Sequence, residues 1–184
     1  MRLCESRSNG AIMRRSVLLI FSVALFSANC KSQNHSIVDG HFDTLDVYTS
    51  ALYAIVQHHD SASESRLKRY SVSNETPSFF VLGWPFRSEI ERRLGVDELT
   101  FIDERNRRMC VLNELSTLTS KRRSDTKVFF STIVDGLFFA EVAVYKSKSL
   151  RFSDRPQFGA AAVYMFEVEG GNVVMLDVKE IHYN

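Results

Sequence analysis

Three cysteines in 184 residues, Cys4, Cys30 and Cys110, are too few for a disulfide-built scaffold, so the fold must rest on an apolar core. An excess of one charge is missing as well. With 23 basic and 22 acidic residues the formal net charge is +1, which gives no long-range attraction to nucleic acid or anionic lipid. No stretch stays apolar for the about 20 residues that a membrane-spanning helix needs. The chain also lacks a His-Glu-x-x-His pair, an EF-hand loop, a Gly-x-Ser-x-Gly elbow and a phosphate-cradling glycine loop. Neither an internal repeat nor a low-complexity tract divides it.

What is present begins at Met13, in MRRSVLLIFSVALFSANC. Arg14 and Arg15 precede the apolar run Ser16–Ala28, and Cys30 comes almost at once. A positive n-region, a short h-region and a processing site make an export signal over residues 13–29. Residues 1–12 are polar and stand outside this unit, so Met13 is an alternative start.

The end of the run resembles a bacterial lipoprotein signal, in which an invariant cysteine comes just after the cleavage point. That resemblance implies a diacylglyceryl group on the Cys30 thiol, removal of the signal and acylation of the new amino terminus. Through that lipid the partner would be a membrane. Two positions depart from the pattern, Asn29 standing where Gly, Ala or Ser is usual and Ser27 where Leu is usual. Ordinary secretion is the alternative, with cleavage after Ser32 its best site. The two readings differ in thiol chemistry. Cys4 leaves with the signal, so acylation of Cys30 leaves Cys110 without an internal partner, whereas an unmodified Cys30 that cleavage retains makes a Cys30–Cys110 bridge available in an oxidising compartment.

Loss of residues 1–30 removes Arg2, Arg7, Arg14, Arg15 and Glu5 and turns the body slightly acidic. About 150 residues remain, enough for one domain with a real core. Residues 30–40 are polar and suit a tether, which leaves 41–184 as a single domain.

Apolar residues at Leu45, Tyr48, Leu52, Ile55 and Val56 predict a helix over Thr44–His58, capped by Asp43 and carrying Asp46 in its first turn. A strand is expected around Leu67–Val72. Ser78–Phe86, SFFVLGWPF, contains Gly83 and Pro85 and reads as a short strand entering an aromatic loop. Ser88-Glu89-Ile90-Glu91 has the form of a capping box, opening a helix that stops at Gly95. A further short helix is expected from Asp97 to about Arg107, and the run SKRRSD is expected to be loop.

Asp135-Gly136 joins Lys127–Val134 to Leu137–Tyr145, a hairpin whose turn needs positive φ twice. Its simplest register sets Phe129 opposite Val142 and Ile133 opposite Phe138 on one face, with Val134 opposite Leu137 and Thr132 opposite Phe139 on the other. A second hairpin joins Ala160–Val168 to Val173–Ile181 through Gly170-Gly171. Both carry apolar residues on both faces, so each face of the sheet needs a cover. The fold class is α+β: N-terminal helices packed on a C-terminal four- to five-stranded antiparallel sheet made of two hairpins. Cystatin-like and nuclear-transport-factor-like folds are analogies of this kind. The order of elements also resembles small lipoproteins of the Bacteroidetes group that carry no assigned activity, a likeness that implies no reaction.

His35, Asp39, His41, Asp43 and Asp46 fall close together, but in the spacing of no zinc or calcium loop, and their place in a tether and helix cap is a solvated one. No metal and no cofactor is expected. His58 and His59 suit a helix C-terminus. Cys110 lies in the apolar context Met109-Cys110-Val111-Leu112 and reads as a core thiol. The basic groups Arg105/Arg107/Arg108 and Lys121-Arg122-Arg123 have acidic neighbours and read as solvated faces rather than a nucleic-acid surface. Phe80, Trp84 and Phe86 are the candidate ligand- or partner-binding residues, because an aromatic loop often makes contacts. With no catalytic set in view, the sequence is read as a lipid-anchored, non-enzymatic binding or assembly module of a bacterial envelope, facing an envelope protein or small ligand. A soluble secreted or periplasmic hydrolase using dispersed acidic or His residues is the alternative.

Overall fold

A computed structural model describes residues 43–62, 67–98, 109–155 and 159–183. The signal, Cys30, the tether and most of the helix expected from Asp97 lie outside them.

Helix α1 spans Thr44–Ala62, four residues further than its apolar stripe required. Its first turn is closed as expected, with the Leu45 N–H donating to Asp43 Oδ1 at 2.9 Å. Strands β1 (Ser71–Val72) and β2 (Glu75–Thr76) come next, then α2 (Phe79–Leu82), a 3-10 turn at Trp84–Phe86 and α3 (Arg87–Leu94). After β3 (Cys110–Val111) and a 3-10 segment over Asn113–Leu118 come β4 (Thr126–Phe130), β5 (Leu137–Val144), β6 (Gly159–Glu169) and β7 (Asn172–Tyr183). The main sheet is five-stranded in the order β1-β4-β5-β6-β7, and β2 pairs with β3 in a separate ribbon. The α+β class is therefore as expected. The sheet is mixed rather than wholly antiparallel, because β1 runs parallel to β4.

Both faces of the sheet are covered. On the first, Tyr48, Ala51 and Ile55 of α1 meet Val128, Phe130, Phe138, Val142 and Tyr164. On the second, Phe79, Leu82, Phe86 and Ile90 pack on Phe129, Phe139, Val163 and Met165. Each fully buried aromatic ring contributes on the order of 1.5–3 kcal/mol by leaving water.

The second cover corrects the reading of SFFVLGWPF as a strand. The Gly83 N–H closes on the Phe79 carbonyl at 2.8 Å, and Thr132 Oγ1 takes the Phe79 N–H at 3.1 Å, so the segment is helical. Phe79, Phe80 and Leu82 are all buried, and an apolar run buried all round has no period that separates helix from strand. Pro85 sits in the 3-10 turn, where its missing N–H costs nothing. The expected capping box is also unused. Helix α3 starts two residues earlier, Phe86 is its cap without a side-chain bond, and Glu91, the acid of that box, instead accepts from Arg87 Nε at 2.6 Å. Gly95 ends this helix in the left-handed conformation, φ 65°, as expected.

The first hairpin turns at Asp135-Gly136 with φ of 47° and 78°, and Val134 lies opposite Leu137. Further along, the register differs from the simple one by a residue: Val128 faces Val142 and Phe129 faces Glu141. The cause lies between Ser131 and Ile133. Thr132 donates its N–H to Pro77 O at 3.2 Å, and the Phe139 N–H is taken by Ser131 Oγ at 2.9 Å rather than by a carbonyl. This bulge puts Phe129 and Phe139 on the same face. The second hairpin turns at Gly170-Gly171 as expected, with one register shift beside Met165/Phe166.

Candidate functional site

Two segments rich in hydroxyl residues, 67–73 and 119–126, run side by side. The Tyr70 N–H donates to Ser120 Oγ at 2.8 Å, and Val72 N–H to Thr119 Oγ1 at 2.9 Å. Ser71 Oγ donates to Lys121 O at 2.7 Å, and Ser124 Oγ to Arg69 O at 2.6 Å. Serine and threonine thus supply the partners that a regular ladder would give, and two loops acquire fixed backbones.

Those fixed backbones carry Lys68 and Arg69 on one side and Lys121 and Arg123 on the other, around a cleft of about 750 Å³. Its floor is the first face of the sheet, and His59 of α1 lines it as well. Val142, Val144, Ala160 and Ala162 form this floor. Val144 is 67% exposed, and the alanines leave depth where larger side chains would fill it. Asp125 and Glu180 also line the cleft. Among the described residues none of Lys68, Arg69, Lys121 and Arg123 forms an ion pair, whereas Arg87, Arg92, Arg93 and Arg155 each do.

A second polar centre lies on the opposite face. Glu141 of β5, its side chain 1% exposed, accepts from Arg155 Nη1 at 2.5 Å. Arg155 also donates to the Tyr183 hydroxyl at 3.0 Å and lies 4.0 Å above the Phe152 ring. Burial pushes the Glu141 carboxyl above its ordinary pKa, against the opposing pull of Arg155. Burial likewise raises the Tyr145 phenol to about 12 and raises that of Tyr183. With Arg155 across the carboxylate, this cluster locks the connection between the hairpins onto the sheet.

The aromatic candidates do not form one surface. Phe80 and Phe86 belong to the second core, and only Trp84 is exposed, at 43%, with the Arg87 guanidinium 5.6 Å from its ring centre. His58 and His59 lie on α1 with ring planes at 86°, both near Tyr164, and do not converge on one point. Asp43 serves as the helix cap and Asp46 sits in the first turn; His35, Asp39 and His41 lie outside the described residues. Among the described residues no group of His, Cys, Asp and Glu could hold a metal ion. No helix among them is long and apolar enough to cross a membrane.

Cys110 corrects its reading as a core thiol: it is half-buried in β3 and disulfide-bonded. The other two cysteines, Cys4 and Cys30, lie outside the described residues. Lys121-Arg122-Arg123 is an exposed loop as expected, and Lys121 and Arg123 of it also line the cleft. Arg105, Arg107 and Arg108 are outside the described residues.

Neither cleft nor lock stands out in the sequence. For the lock a signal exists, since Glu141 is a lone charge inside LFFAEVAV. For the cleft there is none, because Lys68-Arg69 and Lys121–Arg123 are brought together by hydrogen bonds between residues 50 or more positions apart.

No family model matches the chain, and neither a curated protein nor a solved structure matches it.

Proposed function

We propose that this chain is an exported, non-enzymatic binding module whose ligand occupies the cleft at the end of α1. The observation that carries this reading is the meeting of four cations that form no ion pair among the described residues with an apolar floor on which Val144 and Ala160 are exposed. Pockets of about 300–1,000 Å³ are the usual seats of small molecules. The rival reading, a hydrolase, finds little support in the displaced carboxyl of Glu141. It lies on the other face of the sheet, covered by Arg155.

Export is supported by the signal-like segment and by the disulfide at Cys110, since such bonds persist in oxidising compartments. The disulfide also bears on the lipid. A thioether on Cys30 and a bridge from Cys30 to Cys110 use the same sulfur. With Cys30 lipidated, Cys4 would have to be the partner, and Cys4 leaves with the signal. A bridge to Cys30 therefore favours a soluble exported form cut ahead of Cys30, rather than after Ser32, over the lipid-anchored one. Fractionation of bacteria producing the full chain tests this reading. Release by osmotic shock is expected; retention in the cytoplasm would refute export, and extraction from membranes only by detergent would restore the lipid anchor.

A further inference from the structure

We propose that the ligand of this cleft is a small amphipathic anion, a carboxylate or phosphate carried on an apolar chain or ring. The inference rests on the reading of the cleft as a binding site. It assigns the ligand a chemistry at each end.

The head is set by charge. Lys68, Arg69, Lys121 and Arg123 face the same concavity from two loops. Over the whole chain basic and acidic residues nearly balance, 23 against 22, so this is a local concentration of charge and not a general one. A concave wall of low dielectric focuses such a field. The two guanidinium groups match the planar fork of a carboxylate or phosphate, and each lysine adds a point charge. The carriers are preorganised through their backbones. Ser124 Oγ holds the Arg69 carbonyl, and Ser71 Oγ and Tyr70 O hold the two sides of Lys121. Ordering the loops therefore costs the ligand little.

The tail is set by the floor. Val144 is left 67% exposed on a strand whose other residues are buried, and Ala160 and Ala162 stand beside it on β6. A bare inorganic anion would leave this surface wet. A neutral lipid-like molecule would not engage the cations. A continuous polyanion fits poorly, because Asp125 and Glu180 line the same cleft and repel an extended run of negative charge.

Isothermal titration of the full chain with decyl phosphate, decyl glucoside and inorganic phosphate, each below any micelle concentration, tests the assignment. Decyl phosphate should bind, and both other probes should bind at least about tenfold more weakly, the scale of one lost charge-assisted contact. Arg69→Gln with Lys121→Gln should weaken decyl phosphate by at least about tenfold and leave decyl glucoside unchanged. Ala160→Leu, which fills the floor at an exposed position, should weaken decyl phosphate while a far-ultraviolet spectrum confirms the fold. Equal affinity for decyl phosphate and decyl glucoside, indifferent to the cation variants, would overturn the anionic head and leave a binding cleft standing. Equal affinity for inorganic and decyl phosphate would overturn the apolar tail. No binding of any probe by folded protein would overturn the cleft as a binding site altogether. Sedimentation with vesicles containing anionic phospholipid, lost in Ala160→Leu, would make a membrane lipid the source of the anion; binding of decyl phosphate without sedimentation would make the source a soluble molecule.

Discussion

The hydroxyl of Tyr48, in the second turn of α1, donates a 2.7 Å hydrogen bond to the carbonyl oxygen of Ser131, the residue at which β4 leaves its ladder with β5. The two groups are 83 positions apart in sequence and both are buried. Ser131 keeps the N–H half of its pairing, donating to Phe139 O at 2.9 Å, and offers its own Oγ to the Phe139 N–H. Its carbonyl is thereby released from the sheet, and the helix takes it. One bond thus fixes how α1 sits on the sheet and stabilises the bulge that sets the register of the hairpin.

Tyr48→Phe keeps the ring and its packing on Phe130 and Phe138, and removes only the donor. A buried carbonyl without a partner costs about 1–3 kcal/mol. Thermal unfolding should show a lower Tm for the variant with an unchanged far-ultraviolet spectrum. An unchanged Tm would mean that the Ser131 carbonyl finds another donor.

Gly83 carries a different constraint. Its φ of −72° is open to any residue, so the need is for space and not for backbone freedom. A Cβ there would lie 2.6 Å from Ile90 Cδ1, 2.6 Å from Phe139 Cε2 and 2.9 Å from Phe79 O. One of these contacts is backbone and the other two belong to packed core side chains, so relief requires movement of α3 or of β5. Gly83→Ala should destabilise by about 1–3 kcal/mol, the usual cost of overpacking. Chemical denaturation would check it, and a variant as stable as the parent would show that α3 can shift freely.

Glu141 supplies a pH dependence of defined sign. Its folded-state pKa is raised, so the folded protein holds this proton more tightly than the unfolded chain. The stability that the group contributes is complete below the unfolded carboxyl value, about 4.3, and is lost as pH rises through the folded value. At neutral pH the buried charge is a cost that Arg155 does not fully offset. Glu141→Gln should then be at least as stable as the parent at pH 7, and its advantage should shrink as the pH falls towards 4. Comparing the two proteins at each pH cancels the other carboxylates. An advantage that grows on acidification would show that the Arg155 pair dominates.

Much of the skeleton is legible in the sequence because it rests on local rules. The stripe Tyr48, Leu52, Ile55 has a helical period, Asp43 stands where it can cap the first turn of that helix, and Asp135-Gly136 and Gly170-Gly171 meet the demand for positive φ in tight turns. The parts that are not legible depend on distant partners. SFFVLGWPF folds as helix and 3-10 turn because Phe139 and Ile90 close over it and Thr132 caps it, none of which its own composition records. The register of the first hairpin turns on the Ser131 side chain replacing a backbone acceptor. The cleft depends on Arg69 and Ser124 meeting across 55 positions. The aromatic loop divides in the same way: Trp84 reaches the surface, while Phe80 and Phe86 are drawn into a core whose other half lies on the sheet.

The most direct test of an exported, bridged protein is a non-reducing peptide map, with intact mass, of the chain isolated from its native host. The expected result is an amino terminus at Asn29 or Cys30, no acyl increment, and a peptide in which Cys30 is joined to Cys110. A chain that keeps Met1 or Met13 and carries Cys110 as a free thiol would contradict export. An acyl group on Cys30 would contradict the bridge.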